Sequence, residues 1–239
     1  MTRTEQWRRG LSTAIAADEE MEREAREPFF VNVERIFQSE IGTNFCRTLD
    51  QYYDILYSGG APELLLQTKG GTVVDAGASA AYALAQLRYE DPNARLIAVD
   101  IRNTPLMHYT STTEYGQLHN VGQMMEDAHI EFIQGSFRRL PELVPEGYDL
   151  VVSVGAFPDD LTPASFHIHV LDRLYSGLRR GGHIQVFYAP SQEQLEQTFH
   201  WLLHNRLPYQ FHPVSPEVTV RNFFGELNGP WGTLTIGPR

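Results

Sequence analysis

The stretch GGTVVDAGASAAYALAQL, residues 70–87, decides how this chain is read. Gly70 and Gly71 end whatever precedes them, TVVDA is a short apolar run of β type, and an Ala- and Leu-rich helical run begins a few residues later. The connection, Gly77-Ala78-Ser79-Ala80-Ala81, is made of small residues with a single glycine. Strand, tight turn and helix in that order form the opening unit of a parallel α/β sheet.

C-terminal to this unit the alternation continues. RLIAVD is a second strand, TTEYGQLHNVGQMMEDA reads as helix, and HIEFIQG and YDLVVSVGAF read as strands. TPASFHIHVLDRLYSGLRR predicts an amphipathic helix with Leu171, Leu174 and Leu178 on one face, stopped by Gly181-Gly182. HIQVFYA is the next strand, and SQEQLEQTFHWLLHN a helix that Ser191 can cap. YQFHPVS and WGTLTIG then follow as strands without a convincing helix between them, which predicts an antiparallel hairpin at one edge. Strict alternation with apolar strands predicts a mainly parallel sheet covered on both faces.

N-terminal to it the chain reads as helical. Residues 1 to about 27 place acids and bases three or four apart, as in DEEMEREARE, the pattern of a solvent-laced helix. Phe30, Val33, Ile36 and Phe37 then mark a buried helical face, and PELLLQTKGG a short further helix. The expected organisation is a helical extension over 1–69 and an α/β domain over 70–239.

Bulk composition narrows the function. The 239 residues hold 42% apolar and 21% charged side chains, a composition that can build a core. No run approaches a membrane span and no secretory leader is evident, so the expected compartment is the cytoplasm. Cys46, the single cysteine, has no internal disulfide partner, in keeping with a reducing compartment. A net charge of −11, with the basic pairs Arg8-Arg9, Arg138-Arg139 and Arg179-Arg180 scattered, argues against nucleic acid as the direct substrate.

Ligands of open α/β sheets sit beyond the carboxyl ends of the strands. Those positions hold Asp75, Ala76, Gly77, Ala78 and Ser79 after the first strand, and Asp100 after the second. Gly135, Ser136 and Phe137 follow the third, and Gly155 to Asp160 the fourth. Asp100, 23 positions beyond Gly77, can accept hydrogen bonds from both hydroxyls of a ribose. A dinucleotide fingerprint requires a small residue where Tyr82 stands, and this disfavours NAD.

VVDAGASAAYALA, RLIAVDI, IEFIQGSF, YDLVVSVGAF and LYSGLRRGGHIQVF stand in the order and spacing of class I S-adenosylmethionine (SAM)-dependent methyltransferases, which residues 70 to about 190 resemble. The resemblance implies a Rossmann-like, seven-stranded, mainly parallel sheet with an antiparallel C-terminal edge strand, and SAM as cofactor. Asp75 matches the acid of the family's first motif and Gly77 its first glycine. Ser79 and Ala81 replace the other two glycines. Asp100 matches the ribose-binding acid, and Ser136 stands where an Asp that contacts the adenine amino group is common. Implied SAM-binding residues are Asp75, Gly77, Ala78, Ser79, Asp100, Ile101, Ser136, Phe137 and Gly155. Alanine or serine in the turn leaves room for ligand. Where positive φ is required, each costs about 1 kcal/mol.

The acceptor side carries no diagnostic motif. GAFPDDLTP lacks the Asn/Asp-Pro-Pro-Tyr/Phe signature of amino-group methylation in nucleic acids, and no Pro-Cys motif is present. Asp159 and Asp160 are candidates for a divalent metal or, more simply, for capping the following helix. His167 and His169, two apart, diverge on a helix and make a poor metal pair; one of them is a general-base candidate, beside the commoner reading of a packed or surface histidine. Asp159, His108 and Tyr109 are further catalytic candidates. Trp7, Tyr52 and Tyr53 suit a lid or, by preference, helix packing. A small-molecule acceptor is expected, with a homodimer through the N-terminal helices as one option. The alternative is a repurposed fold that binds SAM or a partner without methyl transfer.

Overall fold

A computed structural model describes residues 3–24, 48–57, 59–78, 80–102, 108–110, 118–154, 162–213 and 231–239. Helices α1 (Arg3–Glu24), α2 (Leu49–Tyr57) and α3 (Leu64–Gln67) precede β1 (Thr72–Ala76). Then come α4 (Tyr82–Glu90), β2 (Arg95–Asp100), the short strands β3 (His108–Thr110) and β4 (Leu118–Asn120), α5 (Val121–Asp127) and β5 (Ile130–Gln134). A 3₁₀ turn (Phe137–Arg139) leads into α6 (Leu140–Leu143) and β6 (Tyr148–Ser153). The chain closes with α7 (Ala164–Gly177), β7 (Leu178–Tyr188), α8 (Gln192–His204), β8 (Tyr209–Pro213) and β9 (Gly232–Ile236).

Seven strands form one sheet in the order β5-β2-β1-β6-β7-β9-β8. The first five run parallel, and β9 inserts antiparallel between β7 and β8. The expected hairpin thus stands at the edge, with the last strand on its inner side. The strands are apolar throughout because both faces are buried. Successive residues of a strand alternate between two cores: Val73, Leu96, Ala98, Leu150 and Val152 face α2 and α4, whereas Val74, Ile97, Val99 and Val151 face α7. α1 lies on the second side, where Leu11, Ala14 and Ile15 pack against the core beside α7.

Two boundaries differ from the sequence expectation. Of the helix expected over TTEYGQLHNVGQMMEDA, residues 112–117 lie outside the described residues, Val121–Asp127 form α5, and Leu118–Asn120 pair instead with His108–Thr110. Asparagine favours leaving helical dihedrals, and Asn120 precedes the first helical residue. α7 ends at Gly177 rather than at Gly181-Gly182. Leu178 is already extended, at φ −64° and ψ 140°, and starts β7. Gly177 lies so close to Tyr148 that a Cβ would come within 2.4 Å of its hydroxyl, which itself donates to the Leu174 carbonyl at 2.7 Å. Gly181-Gly182 fall inside β7, where the pairing with β6 shifts register between Tyr148 and Leu150.

Candidate functional site

The carboxyl edge of β1 and β2 gathers the acidic positions. Asp75 pairs with Ala98, so Asp100 lies two residues further along the adjacent strand and on the same face. Asp75 is fully buried, and its Oδ2 accepts a hydrogen bond from the Tyr52 hydroxyl at 2.7 Å. Asp100 is 8% exposed and its Oδ1 accepts the Arg102 amide at 2.9 Å, a bond that turns the chain sharply after β2.

Between the two acids the small-residue turn folds onto the end of β2. The amides of Gly77 and Ala78 donate to the Val99 carbonyl at 2.7 and 3.2 Å. Gly77 has φ 80°, which glycine adopts without strain. Ala81 is left-handed too, at φ 52° and ψ 28°, and precedes the first residue of α4. Alanine there costs about 1–2 kcal/mol in backbone energy. Its methyl is buried, as are those of Ala78 and Ala80, so the turn is packed from beneath by α4 and the core.

After β5 the chain meets α1. Ser136 is 3% exposed; its hydroxyl accepts the Arg138 amide at 3.3 Å and donates to Asp18 Oδ1 at 3.0 Å. Arg138 Nε donates to Asp18 Oδ2 at 2.8 Å, and Arg139 Nη1 to Glu22 Oε1 at 2.9 Å. Asp18 and Glu22 are one helical turn apart, matched to adjacent arginines, so α1 is clamped onto its own chain. Sequence reading treated these acids as solvated. The detectable signal is that spacing together with the nearby apolar positions Leu11, Ala14 and Ile15. Tyr52 was likewise expected to pack in a helix; it does so, and its hydroxyl also reaches Asp75.

His167 and His169 diverge. His167 is fully buried, with Nε2 2.7 Å from Thr162 Oγ1 and Nδ1 2.7 Å from the Tyr188 hydroxyl. That hydroxyl continues to Thr198 Oγ1 at 2.9 Å, and burial raises the Tyr188 pKa above the usual tyrosine range. His169 lies on the other side of α7, where burial, followed by the Arg138 and Arg173 charges, lowers its pKa. His108 and Tyr109 fall in β3. Trp7 is 41% exposed on α1. Ser79, Gly155, Asp159, Asp160, Cys46, Phe30, Val33, Ile36 and Phe37 lie outside the described residues. Among the described residues no three His, Cys, Asp or Glu side chains are grouped to hold a metal, and no helix is long and apolar enough to cross a membrane.

No protein-family model matches the sequence, and no curated protein is similar to it. Solved structures are. Magnesium protoporphyrin IX methyltransferase from Synechocystis PCC 6803, with bound SAM, is similar over 91% of this chain and 89% of its own, at 16% identity and TM-score 0.50. Human N-acetylserotonin methyltransferase, also with SAM, is 18% identical over 91% of this chain and 64% of its own, TM-score 0.45. An rRNA methylase from Streptococcus thermophilus is 13% identical over 73% of this chain and 91% of its own, TM-score 0.44. The strand order and the first of these likenesses define the architecture: this is a class I, Rossmann-like methyltransferase fold.

Proposed function

We propose that the protein is a cytoplasmic SAM-dependent methyltransferase acting on a small molecule. The observation that carries this is the placement of Asp75 and Asp100 on one face of adjacent strand ends, with the left-handed turn from Gly77 to Ala81 between them. Asp100 would hold the ribose hydroxyls, beside Ile101. Asp75 and the turn of Gly77, Ala78 and Ser79 would face the methionine end, with Ser136, Phe137 and Gly155 completing the adenine side. The donor set fits the group: a buried carboxylate at a strand end suits vicinal hydroxyls, and a turn of small residues allows close backbone approach. Bound SAM supplies an electrophilic methyl, and the protein's task is to align an acceptor with it. Residues 1–69 would shape the acceptor side of the 70–239 domain. A homodimer through the N-terminal helices would have to use the face of α1 that its own core leaves exposed, which includes Trp7 and Met21.

The arginines support a small acceptor over RNA. Arg95 pairs with Glu131 and Glu146, Arg138 with Asp18, Arg139 with Glu22, Arg173 with Glu142 and Arg179 with Asp149. These cations are neutralised internally, and the net charge is −11. One observation favours the second reading, a fold that binds SAM or a partner without methyl transfer: the Ser136 hydroxyl is engaged by Asp18 and the Arg138 amide.

Thermal shift with SAM and S-adenosylhomocysteine tests the proposal, with NAD as control. A hundredfold excess over Kd gives about 2.7 kcal/mol, or about 5–11 °C for a domain of this size. Asp100→Ala is expected to lose that shift. No shift with either ligand at millimolar concentration would refute the proposal, and methyl-label transfer to a cell extract separates enzyme from binding module.

A further inference from the structure

Helices α7 and α8 begin differently. Ser191 closes α8 with a complete capping box, its hydroxyl accepting the Gln194 amide at 3.3 Å while the Gln194 side chain accepts the Ser191 amide at 2.6 Å. α7 begins behind Pro163 with no side-chain cap. The amides of Ala164 and Ser165, in its first turn, have no acceptor within the helix. The Ser165 hydroxyl is buried without a hydrogen-bond partner among the described residues, on a residue only 2% exposed. Three donors therefore lie within one turn at the positive end of a 14-residue helix. A buried hydroxyl without an acceptor opposes folding, and at the mouth of a groove a ligand's acceptor would offset that cost.

These donors border a groove of about 520 Å³. Gln6, Trp7 and Gly10 of α1 form one wall, and Gln194 and Gln197 of α8 the other. α1 crosses close to this point: a Cβ on Gly10 would lie at ordinary contact distance, 3.7 Å, from both Ser165 Oγ and Pro163 Cβ. Trp7 offers an exposed aromatic face. β6, which leads towards α7, runs parallel to β1, so the chain leaves the sheet towards α7 at the edge that carries Asp75. Among the described residues, the charged groups at the rim are Glu193, exposed and bonded to Gln197, and Arg9 on the adjoining face of α1.

We propose that this groove is an acceptor subsite for an aromatic carboxylate, with the carboxylate on the start of α7 and the ring against Trp7. Three N–H and O–H donors at a helix N-terminus match an anion's acceptor-only oxygens. That the ligand is the methyl acceptor rests on the methyltransferase reading; that the groove selects a carboxylate does not.

Calorimetric titration of the full chain with naphthoate and with the matching naphthamide tests the proposal. The acid is expected to bind about tenfold more tightly than the amide. Ser165→Ala should lower affinity for the acid about tenfold and leave the amide unchanged, whereas Trp7→Ala should weaken both. Unliganded Ser165→Ala is expected to melt at or above the wild type, since the hydroxyl it removes is unpartnered, and its S-adenosylhomocysteine shift should be unaltered. Equal affinity for acid and amide, no binding of the acid, or an acid affinity unmoved by Ser165→Ala overturns the proposal. Carboxylate selectivity without any S-adenosylhomocysteine shift would leave the groove standing and remove the methyltransferase reading; the reverse pattern would do the opposite.

Discussion

Tyr52 and Tyr53 are neighbours on α2, and removing one oxygen from each is expected to move stability in opposite directions. The Tyr52 hydroxyl donates at 2.7 Å to Asp75, in a site where the two residues are 4% and 0% exposed. A buried hydrogen bond to a charged acceptor contributes about 1.5–3 kcal/mol. Tyr52→Phe leaves the cavity shape intact and deletes that bond. At about 2–4 °C per kcal/mol for a domain of this length, its Tm should fall by about 3–12 °C. The Tyr53 hydroxyl is buried with no partner, and its pKa is pushed up to about 12, first by burial and then by Glu63, Glu90 and Asp50. Tyr53→Phe removes a polar group that gains nothing from the fold, so stability should hold or rise by up to about 1 kcal/mol. Urea denaturation of both variants, with the slope m compared, is the assay. Equal midpoints for the two variants, or a Tyr52→Phe protein within about 0.5 kcal/mol of wild type, would refute the account of Asp75 as a carboxylate held by Tyr52.

Ala81→Gly exchanges relief of a left-handed alanine, about 1–2 kcal/mol, against a lost buried methyl of about 0.8 kcal/mol and added unfolded-state freedom of about 0.4–1 kcal/mol. It should be neutral by thermal melt, while Ala81→Val, β-branched at positive φ, should be clearly destabilised. Arg138→Ala strands Asp18 in a site where both side chains are nearly buried, and should cost about 1–3 kcal/mol and expose α1 to limited proteolysis. Arg95→Ala, at a well-exposed cluster, should leave the proteolysis pattern unchanged. His169 and His183 both have pKa values lowered from an ordinary 6.5, chiefly by burial. The unfolded chain therefore binds more protons than the native one just below that value, so stability should fall as pH drops from about 6.5 towards their native pKa values. Replacing both with Gln should flatten that limb of a pH–stability profile.

The α/β architecture was legible because it rests on short-range regularities: apolar strands, glycine stops and a capping serine at 191 all act within a few residues. Asp75 and Asp100 could be singled out because strand ends define where a ligand can sit. The link between Tyr52 and Asp75 and the clamp from Asp18 to Ser136 and Arg138 were not legible. They join residues 23 and about 120 positions apart, and the spacing of Asp18 and Glu22 beside Leu11, Ala14 and Ile15 marks a face of α1 without indicating its partners. The end of α7 was misplaced for a related reason. Gly177 is required there by Tyr148, a residue of β6 distant in sequence, whereas Gly181-Gly182 look like a stop and are in fact accommodated inside β7.

The clamp on α1 also sets an order of events as the chain is made. α1 is synthesised before its partners: Arg138 and Arg139 and the helix it packs against come more than a hundred residues later. Until they exist, α1 has local pairs such as Arg23 with Glu20 to hold it helical, whereas most helical stability in proteins comes from tertiary packing. The groove that it walls is therefore completed late, after β6 and α7 are in place. In amide hydrogen exchange, α1 should open together with that groove while the sheet stays closed.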